Sequence, residues 1–142
     1  MSAIIFCAFT LEGYLNHIGS ELIPKWNDLF EKLSPMAKLV MIADKYKFEL
    51  SFDSPPFQSF LTIFEFRNQL AHPKTKKHNY NDIKGKTWLK IGKRKWPVEK
   101  WETLCEVQYA EVFVSHTNQM IKKLDEALPY EKVSAFVLSE NV

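Results

Sequence analysis

The sequence predicts a single all-α domain, a bundle of four to five helices with a basic irregular or short β insert before the last long helix. Apolar residues recur three and four positions apart along most of the chain, which places them on one face of a helix. Hydrophobic residues make up 46% of the 142 positions, enough for a packed core. Only four glycines occur, and this argues against a fold built from hairpins. A chain of this length needs no disulfide or metal to stabilise its core.

Two helical regions are predicted in the first third of the chain. The first runs from Ala3 to Ile18, and Gly19-Ser20 is expected to end it. The second covers Pro24 to Phe48 and is interrupted at Ser34-Pro35. Serine is favoured as a helix N-cap and proline at the first helical position. We therefore expect a new helix to begin at Pro35.

The third predicted helix follows the loop at 53–56 and continues to Ala71. It ends there because Pro73 disfavours helical geometry at His72. Its apolar side chains lie on nearly every side of the axis: Phe57, Phe60, Leu61, Ile63, Phe64, Phe66, Leu70 and Ala71. A helix that is apolar all round is usually surrounded by others, so we expect this one to be central.

The rest of the chain is predicted to contain the basic insert (73–96), one long helix from Pro97 to Leu128 and a C-terminal extension (129–142). The apolar stripe predicted for the long helix comprises Leu104, Cys105, Tyr109, Val112, Phe113, Met120, Ile121 and Leu124. No internal repeat divides the chain, so residues 1–142 are treated as one domain.

Charge is segregated along the chain. The net charge is +2, but residues 73–96 hold nine basic residues and one acid, a local charge of +8, while the remainder carries −6. Segregation of this kind favours an anionic partner. With Tyr80, Trp88 and Trp96 nearby to stack on bases, the insert is typical of an RNA-contacting surface. The candidate RNA-binding residues are Lys74, Lys76, Lys77, Lys93, Arg94 and Lys95. A solvated basic loop is the alternative.

Several classes of protein are excluded or disfavoured. Cys7 and Cys105 have apolar neighbours, which is typical of reduced thiols in a cytoplasmic protein and not of a disulfide framework. The apolar N-terminus lacks a basic segment and is interrupted at Glu12, so neither a membrane span nor a signal peptide is expected. The histidines and cysteines show no metal-ligand spacing. There is no glycine-rich phosphate loop, and no cofactor is predicted.

The stretch FEFRNQLAHPK places Arg67, Asn68 and His72 at the end of the apolar third helix. A buried guanidinium without a partner is unstable, so Arg67 must contact a carboxylate, reach water or line a cleft that binds an anion. Arg67 and His72 are five positions apart, about 140° around an ideal helix. Asn68 and His72, four apart, share a face.

This stretch, Arg67-Asn68-Gln69-Leu70-Ala71-His72, resembles the signature of the HEPN superfamily (higher eukaryotes and prokaryotes nucleotide-binding domains). In that family an arginine, usually followed by a polar residue, precedes a histidine by four to six positions late in a helix. The resemblance implies a metal-independent endoribonuclease whose site forms between two subunits. It also implies a role in toxin–antitoxin or phage-defence systems, with an antitoxin protein as a partner.

The resemblance assigns catalytic roles to these three residues. The 2′-hydroxyl of RNA is the nucleophile, so the protein supplies proton transfer and charge stabilisation. Imidazoles titrate near neutral pH, which suits His72 as general base or acid. The planar guanidinium of Arg67 suits phosphate oxygens. Asn68 would hold His72 or a phosphate oxygen. A homodimer could bring residues that diverge on one helix together across a two-fold axis.

Other interpretations of the same residues stay open. A non-catalytic HEPN-like module could use the motif for RNA binding or dimer formation. Arg67 could instead form a structural ion pair with Glu12, Glu106 or Glu111. His72 could simply stabilise the carbonyl end of its helix, and Asn68 could bond to the backbone there. Glu12 and Asn16 either border the cleft or form a solvated polar strip.

Overall fold

A computed structural model describes residues 1–72, 88–91, 94–97 and 100–129. This part of the chain forms an all-α bundle, which confirms the predicted fold class. The helices are α1 (Ser2–Leu22), α2 (Trp26–Leu29), α3 (Pro35–Tyr46), α4 (Phe57–Ala71), α5 (Lys100–Thr103) and α6 (Val107–Ala127). None of these helices combines the length and the apolar character that a membrane span requires.

Helix α1 is the centre of the bundle and packs against α2, α3, α4 and α6. Its buried residues recur every three or four positions: Ile4, Cys7, Ala8, Leu11, Tyr14, Leu15, Ile18 and Leu22. The expectation that the third helix, α4, would be central is wrong. Helix α4 packs mainly on α1 and α6, and its outer face is open, with Leu61 41% exposed. Helix α4 therefore has more apolar side chains than it buries against the other described residues.

Helix α1 continues past the glycine that was expected to end it. Gly19 is buried inside the helix, four residues after Leu15 and three before Leu22. A Cβ atom at Gly19 would lie 2.3 Å from Cε2 of Trp26, whose indole is buried against the helix. Glycine is needed here because the indole approaches the backbone closely, and it does not act as a helix terminator.

Helix α3 begins where the sequence predicts. The Oγ atom of Ser34 accepts a hydrogen bond from the amide of Ala37 at 3.2 Å, and Pro35 is the first helical residue. The helix ends at Tyr46, where Lys47 adopts a left-handed conformation with φ of 54°. Its buried face consists of Lys38, Leu39, Ile42 and Ala43, so it carries one charged side chain into the core.

The single long helix predicted at the C-terminal end is divided into α5 and α6, with a break at residues 104–106. The buried face of α6 is also narrower than the predicted stripe and consists of Phe113, Thr117, Met120 and Leu124. Val112 is exposed because it lies about 100° around the helix from Phe113. Tyr109 is exposed as well. Only one side of α6 is therefore buried in the core.

The described residues between positions 88 and 97 form a two-stranded antiparallel pair, β1 (Trp88–Ile91) and β2 (Arg94–Pro97). Pro97, predicted to begin the long helix, is therefore the last residue of β2. Trp88 pairs with Pro97 and Ile91 with Arg94 at the two ends of the ladder. The first part of the insert (73–87) and the predicted extension after position 129 lie outside the described residues. Cys7 is buried, Cys105 is partly buried, and the two are not joined by a disulfide.

Candidate functional site

The motif lies at the C-terminal end of α4. The helix ends at Ala71, as predicted, and His72 leaves helical geometry with φ of −130° and ψ of 65°. Its backbone N–H donates a hydrogen bond to the carbonyl oxygen of Asn68 at 2.9 Å. The side chains of Asn68 and His72 are both exposed to solvent. The histidine side chain is thus free to meet a ligand at the end of the helix.

Arg67 lies on a different side of α4, facing α1. One terminal nitrogen of its guanidinium is 3.2 Å from Oε2 of Glu12. Its central carbon lies 5.3 Å from the centre of the Phe64 ring, close enough for a cation–π contact. The ion pair with Glu12, one of the alternatives that the sequence leaves open, is therefore present. About a quarter of the Arg67 side chain, 26%, remains exposed.

The structure does not gather the three motif residues at one point of a single chain. In the part that the structure describes, no hydrogen bond joins the side chains of Arg67, Asn68 and His72. The five-residue spacing accounts for this, because it turns Arg67 and His72 to different sides of the helix. Any site that uses both groups needs a second contributor or a ligand that spans the helix end.

The structure adds a residue that sequence reasoning missed, Lys38 of α3. Its side chain is only 1% exposed, and its Nζ atom lies 3.8 Å from Oε1 of Glu12. The sequence carried a signal for it, since Lys38 precedes Ile42 by four positions and therefore lies on the same face of α3 as this buried residue. We call Glu12, Lys38 and Arg67 the Glu12 cluster; it joins α1, α3 and α4.

The Glu12 cluster has two cations and one carboxylate, a formal charge of +1. No second carboxylate of the described residues lies within 4 Å of either cation. Within the same residues, the buried Nε atom of Arg67 has no hydrogen-bond partner. Asn16, one turn after Glu12 on α1, likewise has a buried Oδ1 without a partner there. Buried polar atoms are usually paired, so this region is polar and incompletely satisfied.

The predicted RNA-binding residues are only partly within the structure. Lys74, Lys76, Lys77 and Lys93 lie outside the described residues. Arg94 and Lys95 belong to β2, where they pair with Ile91 and Lys90 of β1. Two lysines of the insert are therefore opposite each other in the ladder.

Two further polar contacts hold α6 in place. The Tyr14 hydroxyl donates a hydrogen bond to the Asp125 carboxylate. Burial, and then the hydrogen bond to this carboxylate, raises the pKa of Tyr14 well above its ordinary value. Ser59 of α4 and His116 are joined at 2.7 Å between Oγ and Nδ1. Across the described ranges, no group of three His, Cys, Asp or Glu side chains is placed to hold a metal ion.

The end of α4 therefore combines two kinds of chemistry. An exposed imidazole at His72 can exchange protons with a ligand. A guanidinium held by Glu12 and Phe64 can donate hydrogen bonds to an anion through its exposed part. Comparison with protein-family models, with curated proteins and with solved structures finds no match for this chain.

Proposed function

We propose that the protein is a metal-independent endoribonuclease of the HEPN type, in which Arg67 binds the scissile phosphate and His72 transfers protons. The observation that carries the proposal is the placement of the motif on the open end of α4. The imidazole is exposed there, and the guanidinium is partly exposed but fixed by its contacts. A role as a toxin or in phage defence, with an antitoxin partner, rests on the resemblance alone.

The proposed reaction is an intramolecular transesterification. The 2′-oxygen of RNA attacks the adjacent phosphorus while the bond to the 5′-oxygen of the next nucleotide breaks. A neutral imidazole at His72 accepts the proton of the 2′-hydroxyl, and the imidazolium formed in this way donates that proton to the departing 5′-oxygen. The products are a 2′,3′-cyclic phosphate and a 5′-hydroxyl. Arg67 donates hydrogen bonds to the non-bridging oxygens, where negative charge increases in the transition state.

Asn68 is proposed to orient the reacting groups. Its side chain is exposed one turn before His72, on the same face of α4. The amide can donate to a phosphate oxygen or accept from the imidazole. Neither role needs a metal ion, because RNA supplies its own nucleophile.

We further propose that the active form is a homodimer. In one chain Arg67 turns to α1 while His72 faces solvent, so the two groups do not meet on the same helix. A two-fold axis near the end of α4 would place Arg67 of one subunit near His72 of the other. The candidate RNA-binding residues of the insert would bind further phosphates of the RNA: Lys74, Lys76, Lys77, Lys93, Arg94 and Lys95.

The test is cleavage of RNA by the pure protein in EDTA. We expect fragments that end in 2′,3′-cyclic phosphate, and no fragments with His72→Ala. Gln69→Ala is the matched control, because Gln69 is exposed in the same helical turn and outside the proposed chemistry. Both variants should keep the free energy of unfolding within about 0.5 kcal/mol of the parent, as exposed positions usually do. Full cleavage by His72→Ala would contradict the proposal.

A second candidate is a non-catalytic RNA-binding or dimeric module. The ion pair between Arg67 and Glu12 favours it, because a guanidinium held by a carboxylate can shape a helix end without taking part in chemistry. This module would bind RNA in EDTA and leave it intact. Binding that is lost on removing the basic insert residues, with no cleavage under any condition, would support the module over the nuclease.

A further inference from the structure

We propose that Glu12 and Lys38 are positioning residues that keep Arg67 as a net cationic binding site for one phosphate group. The identity of that group as an RNA phosphodiester rests on the proposed function. The net positive charge of the Glu12 cluster is independent of that function. The proposal gives Lys38, which lies in the core, a role in ligand binding at the end of α4.

The net charge of the Glu12 cluster is positive because of Lys38. Arg67 and Glu12 alone would be neutral together, and a neutral pair has little attraction for an anion. Lys38 changes the net charge because it adds a second cation beside Glu12. Its Nζ lies 3.8 Å from one carboxylate oxygen of Glu12, while Arg67 lies 3.2 Å from the other. The single carboxylate is thus divided between two cations, and one positive charge is left over. A phosphodiester carries one negative charge and matches it.

Of the two cations in the cluster, only Arg67 can meet a ligand. Lys38 is 1% exposed and cannot reach an anion in solvent. Arg67 has 26% of its side chain exposed. Charge in a poorly solvated region acts strongly on its neighbours. Lys38 therefore acts through Glu12, by offsetting the carboxylate charge that would otherwise cancel that of Arg67.

Arg67 keeps hydrogen-bond donors that Glu12 does not use. A guanidinium has five N–H donors in a fixed plane. In the described part of the chain, Glu12 accepts from one terminal nitrogen, while Nε is buried and has no partner, so the donors left for a ligand are those of the terminal nitrogens. The central carbon of the group lies 5.3 Å from the centre of the Phe64 ring. The side chain is therefore held in orientation with donors remaining, which is the condition for binding a phosphate oxygen without a large ordering cost.

The experiment is a titration with inorganic phosphate at constant ionic strength, followed by NMR of the arginine Nε–H groups. The chain has two arginines, so Arg94→Lys assigns the signal of Arg67. We expect phosphate to shift that signal saturably in the parent protein. Lys38→Met should weaken binding about tenfold, because the cluster becomes neutral. Lys47→Met is the matched control, since it removes the same charge from a side chain that is 82% exposed.

Glu12→Gln gives a result of opposite sign. It keeps an acceptor for Arg67 but raises the cluster charge to +2, so phosphate should bind more tightly than in the parent. In RNA cleavage the same variant should lower kcat, because the guanidinium loses its charged anchor, while KM falls. A purely structural cluster would not make Lys38→Met and Glu12→Gln change phosphate affinity in opposite directions.

Two results would overturn the inference. One is equal weakening by Lys38→Met and Lys47→Met, which would mean that only net charge matters. The other is weaker binding in both Lys38→Met and Glu12→Gln, which would make the cluster structural. Each variant is first checked for the native spectrum. If Glu12→Gln does not fold, the comparison of Lys38→Met with Lys47→Met decides the question.

The ligand is then distinguished with a 2′-O-methyl dinucleotide, which has a phosphodiester but cannot be cleaved. Binding that depends on Lys38 supports a phosphodiester as the ligand. Binding of inorganic phosphate alone overturns that identity. Lys38-dependent binding of both, with RNA left intact, would support this inference and refute the nuclease proposal, so the two can fail separately.

Discussion

The guanidinium of Arg67 and the carboxylate of Glu12 join α4 to α1 with a nitrogen–oxygen distance of 3.2 Å. The arginine of the motif therefore links two helices and is also a candidate phosphate-binding residue. Loss of activity in an Arg67 variant is informative only beside a measurement of its stability. The third member of the cluster, Lys38, allows the effect on phosphate binding to be separated from the effect on stability.

Glu12→Ala should destabilise the protein more than Arg67→Ala. Removing Glu12 leaves Lys38 buried without a carboxylate, and breaking a buried pair in this way costs about 3–5 kcal/mol. Removing Arg67 leaves Glu12 paired with Lys38, so we expect a loss of about 1 kcal/mol, typical of a partly exposed ion pair. Urea denaturation at pH 7 measures both values. Glu21→Ala, an exposed acid on α1, is the control, and equal losses for Glu12 and Arg67 would contradict the arrangement.

Alanine at two glycines of the same helix should have opposite effects. At Gly19 the new methyl group would meet the indole of Trp26, and we expect a loss of about 2–3 kcal/mol because a packed core has no room for it. At Gly13 nothing lies within 4 Å of the new Cβ. Gly13→Ala should therefore stabilise α1 by about 0.5–1 kcal/mol through helix propensity. Thermal unfolding followed by circular dichroism compares the two, and stabilisation by Gly19→Ala would refute the contact.

The stability of the protein should fall in alkali because of Tyr14. Its pKa is raised in the folded state by burial and by the hydrogen bond to Asp125. A group whose folded pKa lies above its unfolded value stabilises the fold below the unfolded pKa, here about 10, and this contribution is lost as pH rises further. Near pH 8, Tyr14→Phe should cost about 2 kcal/mol, the value of a hydrogen bond to a charged group.

The measurement is the free energy of unfolding of parent and Tyr14→Phe between pH 8 and pH 11. The difference between them should narrow above about pH 10, because only the parent loses this contribution. Absorbance at 295 nm should show one phenol that ionises only with unfolding. Tyr109→Phe, at an exposed position, is the control. A constant difference across the range would contradict the prediction.

Mixing two inactive variants should restore RNA cleavage if the site is shared between subunits. Arg67→Ala and His72→Ala each remove one group, but a mixed dimer keeps one intact pair. Random exchange of subunits makes half of the dimers mixed, each with one working site, so about a quarter of the parent activity is expected. Light scattering checks the dimer. Absence of activity in a mixture with proven subunit exchange would refute a site shared in this way.

The basic insert should set the salt dependence of RNA binding. Changing Lys74, Lys76 and Lys77 together to glutamine should weaken binding and reduce the slope of log affinity against log salt by about 2, near 0.7 for each phosphate that a lysine no longer neutralises. The control removes three lysines from exposed positions elsewhere: Lys32, Lys47 and Lys122. Fluorescence anisotropy with labelled RNA at several salt concentrations measures the slope. Equal slopes for the two triple variants would show that the insert has no special role.

Local patterns in the sequence predicted much of the helical structure. Ser34-Pro35 marked the start of α3, and Pro73 marked the end of α4, because capping and proline effects act within one turn. The prediction that Gly19 ends α1 is wrong because it, too, considered only residues within one turn. A glycine at the end of an apolar run usually indicates the end of a helix. The reason for glycine at this position is instead the close packing of Trp26, which belongs to α2.

The sequence by itself determined the class of the fold and the place of the motif at a helix end. Only the tertiary structure decided that α1 is central and that Glu12 lies between Lys38 and Arg67. These two cations are far from Glu12 along the chain, Arg67 by 55 positions. Periodicity shows which side of each helix is buried, but the packing of helices against one another decides which buried sides meet, and that depends on the shape of all of them together.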